Sequence, residues 1–215
     1  MAESKGVARE VAGSPCGGFA VPTGGLRDRH KRKKENDMDT ASVLEELRTR
    51  LQALEDESAI RRMMAEMMTK ADERTNPKWG EQLASFYTDD GIITSASGSS
   101  RIEMRERGHT ALIKRFSSPT RFCESTHLLG SESIEVSGDE AKGTWVSFEP
   151  ATLRCPDNTE EAVWTMGRYI GEFRRTSNGW RIRTFHYEGV FCTPYDKGWT
   201  NERFVPVRVV AVEKN

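Results

Sequence analysis

Four side chains of this sequence carry ionisable groups that their local pattern does not explain. Asp72 ends the run IRRMMAEMMTKAD (60–72), where Ile60, Met64 and Met68 recur every four residues and share one helical face, with Met63, Met67 and Ala71 beside them. Asp72 is the next member of that row. A carboxylate following three apolar residues on a core-facing row needs something to offset its desolvation, and at a helix C-terminus the macrodipole opposes its charge. Either a partner waits there, or the helix frays first and the acid turns to water. His127 and His186 lie in strand-like stretches, STHLL (125–129) and TFHY (184–187), and Glu149 stands at the end of a third, just before Pro150. Each alone also fits a hydrogen-bonded core residue or a solvent-facing one.

The combination says more than its members. A carboxylate that orients an imidazole fixes its tautomer and raises its basicity, as a general base working near neutral pH requires. The sequence contains no GxSxG nucleophile elbow, P-loop, dinucleotide fingerprint or HExxH. Covalent, phosphoryl-transfer and hydride chemistry therefore lack support, and dispersed histidines give no metal or cofactor site. Cys16, Cys123, Cys155 and Cys192 are scattered without a CxxC, against a structural zinc site or dense disulfides and in keeping with a reducing, cytoplasmic setting. A net charge of −1 gives no global attraction to nucleic acid. No apolar run is long enough to span a membrane and no secretory h-region opens the chain.

The elements that must position these groups follow in chain order. Residues 1–40 are rich in Gly, Ser, Pro and charge and read as a disordered tail. Its basic run RDRHKRKK (27–34) is open to reading as a nuclear-import address, an anionic-surface tether or a solvated charge run, and Met38 as an alternative start. A domain is expected over 41–200, with 201–215 as a C-terminal strand or tail. Thr40 or Ser42 caps a helix bearing Leu44, Leu47, Leu51 and Leu54, a short heptad seam that packs on the domain or on a neighbouring subunit. Asn76-Pro77 opens a second helix with Trp79, Leu83, Phe86 and Tyr87 on its apolar face, and Asp89-Asp90-Gly91 breaks it. Strands are expected at 91–95 and 101–106 around a Gly98-Ser99-Ser100 turn, then a helix over 108–116.

After Pro119 the pattern is β throughout. A strand over 122–136 bends near Gly130, and the return strand over 141–153 places Trp145, Ser147 and Glu149 on one face, Val146 and Phe148 on the other. A strand over 162–175 puts Val163, Thr165, Tyr169 and Phe173 on one face. Ser177-Asn178-Gly179 turns it into the last long strand, 180–192. Tyr195, Trp199 and Phe204 read as aromatic anchors before a strand-like run at 205–212. Helices first and antiparallel hairpins after imply an α+β fold, a curved antiparallel or mixed sheet wrapped by three to four helices. The concave face of such a sheet gathers polar groups around a pocket.

From about residue 41 to 195 the chain resembles the nuclear transport factor 2-like superfamily in its SnoaL-like branch. The resemblance is carried by LEDESAIRRMM (54–64), Asp72, FYTDDG (86–91), ESTHLLGSESIEV (124–136), GTWVSFE (143–149), GRYIGEFRRTSNGWRI (167–182) and FCTP (191–194). It implies a cone-shaped α+β barrel with an internal pocket. More narrowly it points to the cofactor-independent lyases of the superfamily: scytalone dehydratase, bile-acid 7α-dehydratase and hexachlorocyclohexane dehydrochlorinase. In those enzymes an Asp at the end of the first helix pairs with a His on the strand after the third, the positions of Asp72 and His127. The resemblance then implies that His127 abstracts a proton, Asp72 holds the imidazolium, and Glu149 protonates a departing hydroxyl. The bile-acid enzyme's tyrosine before that Asp is replaced here by Met67, and its late arginine falls near Gly189. Tyr87, Trp164, Tyr169 and His186 are the candidates to substitute, and Met68 with its neighbours supplies an apolar wall for a polyketide-, steroid- or aromatic-like substrate.

The expected activity is thus a dehydratase on an apolar small molecule, with a homo-oligomer, trimer or dimer, implied by the family. An isomerase or cyclase would use the same dyad. A non-catalytic ligand-binding module shares the fold but needs neither Asp72 nor His127.

Overall fold

The computed structural model describes residues 25–97 and 104–205, with side-chain surroundings left out for 25–30, 32–38 and 97. The tail before Gly25, the Gly98–Ser100 turn, residues 101–103 of its return strand and the run from 206 onward lie outside the described residues. The chain divides into two compact units, Met1–Arg48 and Thr49–Asn215. In the first, the described part is helical, the beginning of α1 (Gly25–Asp72), and its Val43, Leu44 and Leu47 are exposed. The described helix is already formed at Gly25, ahead of the expected start at Thr40 or Ser42. Poor burial does not prevent a helix where Arg, Lys and Glu, all good helix formers, follow one another without Gly or Pro.

The second unit holds the rest of α1 and every other described element. Leu51 and Leu54 are exposed, but from Asp56 onward α1 buries one face. Ile60 and Met64 are fully buried, and Met63, Met67 and Met68 join them in a core with Trp145, Tyr169, Phe173, Ile182 and Phe185. The i, i+4 row therefore lies where its spacing places it.

Asp56 fastens this face to the sheet. Its carboxylate accepts a bidentate pair from Arg175 (Nη1 2.7 Å, Nη2 2.5 Å) and the Trp180 indole N–H (3.0 Å). The hydrogen bonds of Arg175 hold its carboxyl below the usual carboxylate range against the opposing pull of burial. A depressed folded value contributes stability that is complete above about pH 4, the ordinary aspartate value, and lost as pH falls through the folded value. Asp56→Ala should cost about 3 kcal/mol in urea unfolding at pH 7 and flatten the acid limb of the stability curve. A variant as stable as the parent at pH 7 would show that the pair does not fasten α1.

Among the described residues there are seven strands in one mixed sheet of order β2-β1-β7-β6-β5-β3, with β4 also paired to β5. They are β1 (Tyr87–Ser97), β2 (Met104–Arg107), β3 (Phe122–Ser125), β4 (Leu128–Ser137), β5 (Glu140–Arg154), β6 (Glu160–Thr176) and β7 (Gly179–Pro194). β1 runs parallel to β7 and the other pairs are antiparallel. The short helices are α2 (Trp79–Ala84), α3 (His109–Phe116) and α4 (Gly198–Asn201). This is the expected curved α+β architecture, with the sheet unclosed.

Three expectations are corrected. Asp89-Asp90-Gly91 does not separate a helix from a strand but sits inside β1. Tyr87 pairs with Ile182 and Ile92 with Thr184, so the turn-prone residues form a bulge. Gly91 permits it, since a Cβ there would lie 2.8 Å from Tyr87 Cβ. Asn76-Pro77 forms a turn rather than the helix start: the Lys78 amide donates to Asn76 Oδ1 at 2.9 Å, α2 begins at Trp79, and Tyr87 already belongs to β1. The strand expected over 122–136 is broken at Thr126-His127, and its register shifts again between Gly130 and Ser133. The C-terminal aromatics lie on the surface. Tyr195 is 66% exposed against Trp164, and Trp199, 53% exposed, stacks on Phe191.

Candidate active site

β3 and β4 both pair with β5, Ser125 opposite Ala151 and Leu128 opposite Phe148. The two-residue gap between them therefore faces Glu149 and Pro150, and the Thr126 amide donates to the Pro150 carbonyl at 3.2 Å. His127 is thus not within a strand. It occupies this gap, where leaving the ladder frees its ring and amide for other partners.

Those partners are carboxylates. His127 Nδ1 lies 2.7 Å from Asp72 Oδ1, and the His127 backbone N–H donates to Asp72 Oδ2 at 3.2 Å. The Ser125 hydroxyl donates to Oδ1 at 3.4 Å. The α1 helix persists to Asp72, so the acid at the end of the methionine row is met by three donors rather than turned out to water. On the other side of the ring, His127 Nε2 lies 3.3 Å from Glu149 Oε1, and Thr165 donates to Glu149 Oε2 at 3.0 Å. The His127 and Glu149 side chains are each only 9% exposed. An ionised Asp72 accepts only, so Nδ1 carries the hydrogen. Nε2 and Oε1 stand at ion-pair distance, an approach that a proton on either atom makes attractive.

Arg74, absent from the expected set, closes the cluster. Its Nε and Nη2 both donate to Ser125 Oγ, at 3.3 and 3.1 Å, and Nη2 lies 3.9 Å from Glu149 Oε1. The guanidinium sits over the rings of Trp79 and Phe122, 5.2 and 5.4 Å from their centroids. Burial pulls its pKa down, opposed by the charges of Glu149 and then Asp72. It also lines a groove of about 300 Å³ with Trp79, Phe116, Pro119 and Phe122.

The remaining candidates divide by strand parity. Tyr169 lies on the inner face and is buried, stacked on Phe185 at 4.9 Å between centroids. Its phenol is pushed up by burial and then by the charge of Glu149. Tyr187 shares this environment: burial first and Glu149 next raise its pKa, and hydrogen bonds from Thr165 and Ser147 oppose them. A Cβ on Gly167 would lie 2.3 Å from the Tyr187 ring, so the glycine makes room for it. Burial, then Glu149, push the Cys192 thiol up to about 12. Tyr87 and Met68 are buried in the main core, Tyr87 against Phe116 and Phe185.

Neither Tyr87 nor Met68 contacts Asp72, His127 or Glu149 among the described interactions, and His186 and Trp164 face away from them. His186 follows inward Phe185, so it faces the other side of the sheet, where its Nδ1 meets Thr94 Oγ1 at 2.7 Å. Trp164 lies between inward Val163 and Thr165 and stacks outward on Phe148, 5.2 Å away. Alternation along the strand decides both. The same alternation would have found Tyr187, two residues after Phe185. For Arg74 the available signal was a cation two residues beyond the unexplained Asp72.

Among the described residues no three His, Cys, Asp or Glu side chains are grouped to hold a metal ion, and no helix is long and apolar enough to cross a membrane.

The chain matches the SnoaL-like domain over residues 52–186. No curated protein matches it in sequence. It is similar to the structure of a candidate scytalone dehydratase from Novosphingobium aromaticivorans, at 18% identity over 75% of this chain and 97% of that one, with a TM-score of 0.56. It is also similar to LinA, at 19% identity, 71% and 95% coverage and a TM-score of 0.55. A hexachlorocyclohexane dehydrochlorinase of LinA type 3 from Novosphingobium barchaimii gives 19% identity, 71% and 96% coverage and 0.53. At such identities these likenesses show the fold alone. With the family match spanning most of the second unit, the chain belongs to the SnoaL-like domain family.

Proposed function

We propose that this protein is a cofactor-independent lyase, a dehydratase that removes water from a largely apolar β-hydroxy carbonyl compound. The observation that carries the reading is the line Asp72–His127–Glu149, with contacts of 2.7 and 3.3 Å on the two ring nitrogens. Asp72 keeps the hydrogen on Nδ1, which leaves Nε2 as a base when the shared proton rests on Glu149. His127 then takes the proton next to the substrate carbonyl, and the C–H electron pair passes into the enolate. Glu149 gives its proton to the β-hydroxyl, the C–O bond breaks, and water departs as the C=C bond forms. The reaction leaves imidazolium beside carboxylate. Return of the Nε2 proton to Oε1 across the same contact restores the starting state. The names of the dehydratase and dehydrochlorinases of like fold are consistent with elimination chemistry.

Base and acid lie side by side, so both departing groups leave from one face of the substrate. A panel of stereospecifically deuterated β-hydroxy ketones and hydroxylated ring ketones, followed by mass spectrometry, tests this. The expected result is loss of water with syn stereochemistry. Anti elimination would overturn the assignment of Glu149, and solvent deuterium uptake without water loss would make the dyad an isomerase. No turnover of any member of the panel would count against the lyase reading.

A further inference from the structure

We propose that Arg74 is the binding site for an anionic oxygen on the ligand, so that the groove it lines takes flat ring compounds bearing a phenolate, enolate or similar oxyanion. This deepens the lyase reading and rests on it only for the identity of the reaction; the binding itself stands on the surroundings of Arg74. A guanidinium has five N–H donors. Here Nε and Nη2 both spend a hydrogen on the same Ser125 oxygen, and Nη1 has no acceptor among the described residues. No buried side-chain nitrogen or oxygen among them lacks a partner, so Nη1 reaches solvent. Arg74 is among the residues that line the groove.

The neighbours define what can enter. Trp79 and Phe122 approach the guanidinium within cation–π range, while unused N–H groups remain for recognition. An oxygen placed in the guanidinium plane meets them in the geometry that suits Arg best. Phe116, Pro119, Trp79 and Phe122 give the groove ring-sized apolar surface, and Asn76, Ser117, Ser118 and Thr120 give it polar groups beside them. The side chain is 16% exposed, and the lowering of its pKa by burial marks a cation whose lost hydration is only partly replaced by protein charge. Nearest among carboxyl oxygens is Glu149 Oε1, 3.9 Å from Nη2 and beyond hydrogen-bond reach. That same atom is 3.3 Å from His127 Nε2. Guanidinium and imidazole thus flank one carboxyl oxygen. A ligand oxyanion on Arg74 would lie next to the carboxyl group that His127 contacts, and an enolate formed there gains a fixed cation.

The test uses 4-nitrophenol, whose visible absorption reports whether it binds ionised, titrated into the full-length protein. The wild type should bind it as the phenolate, and Arg74→Met should weaken binding roughly 10- to 100-fold, the range for a charge-assisted hydrogen bond. Arg74→Lys, which keeps the charge but loses the fork, should fall between them, and stands in if the Met variant does not fold. His127→Gln should keep phenolate binding, which separates this site from the elimination chemistry. Equal affinity in Arg74→Met or Arg74→Lys and in the wild type, equal affinity of wild type for neutral 4-nitroanisole, or no binding by the wild type would each overturn the proposal. Arg74-dependent binding without any water elimination would leave it standing and remove the lyase reading.

Discussion

Replacing His127 with Gln should lower turnover by about 10²–10⁴-fold, the usual contribution of one positioned acid or base. The effect should fall on kcat more than on KM, because His127 is assigned a proton transfer and is not among the residues that line the groove. Glutamine retains a side-chain amide that can donate towards Asp72 Oδ1, now 2.7 Å from the ring, so the carboxylate keeps a partner. Thermal unfolding of the variant should therefore resemble that of the parent. Rates measured with the substrate found in the water-elimination panel decide the matter. An unaltered kcat would remove His127 from the chemistry, whereas a variant that fails to fold would show that its role is structural.

Asp72→Asn should cost nearly as much, through a different route. The carboxylate accepts from His127 Nδ1, from the His127 backbone N–H and from the Ser125 hydroxyl, using both oxygens. An amide offers one acceptor only. If its oxygen stays with the backbone N–H, its NH₂ faces Nδ1, which must then accept, and the ring hydrogen moves to Nε2. That tautomer has no lone pair for the substrate proton. The analogous change in a Ser-His-Asp triad costs about 10⁴-fold for the same reason, so a loss of order 10³–10⁴-fold is expected here. Nitrogen-15 NMR of the ring distinguishes the mechanism: the hydrogen should be on Nδ1 in the parent and on Nε2 in the variant. Full activity, or an unchanged tautomer beside lost activity, would show that Asp72 does not act by orienting the ring.

Much of the candidate site is legible in the sequence because strong local patterns lead to it. The row Ile60–Met64–Met68 pointed at Asp72, and the row is buried as its spacing requires. Alternation along β5 placed Trp145, Ser147 and Glu149 together, and all three are buried. The same rule, carried one strand further, separates His186 and Trp164 from the site and brings Tyr187 to it. The elements misjudged were those where backbone pairing departs from regularity. A Gly-Asp turn signal became a bulge because β7 offered a partner across it, and the strand through His127 opened because the ladder on β5 continues on both sides of the gap.

What the sequence determined by itself was the order of helices and hairpins, the inward face of each strand and the awkward acid at the end of α1. All three depend on spacing within a single element, which periodicity expresses directly. Tertiary structure alone decided which carboxylate meets which ring nitrogen, that Arg74 lies beside Glu149, and that Asp56 is buried on Arg175. Those contacts join residues 22 to 119 positions apart. They follow from how one strand's register and one helix's seat on the sheet bring distant side chains within 3–4 Å, and local spacing carries no record of such distances.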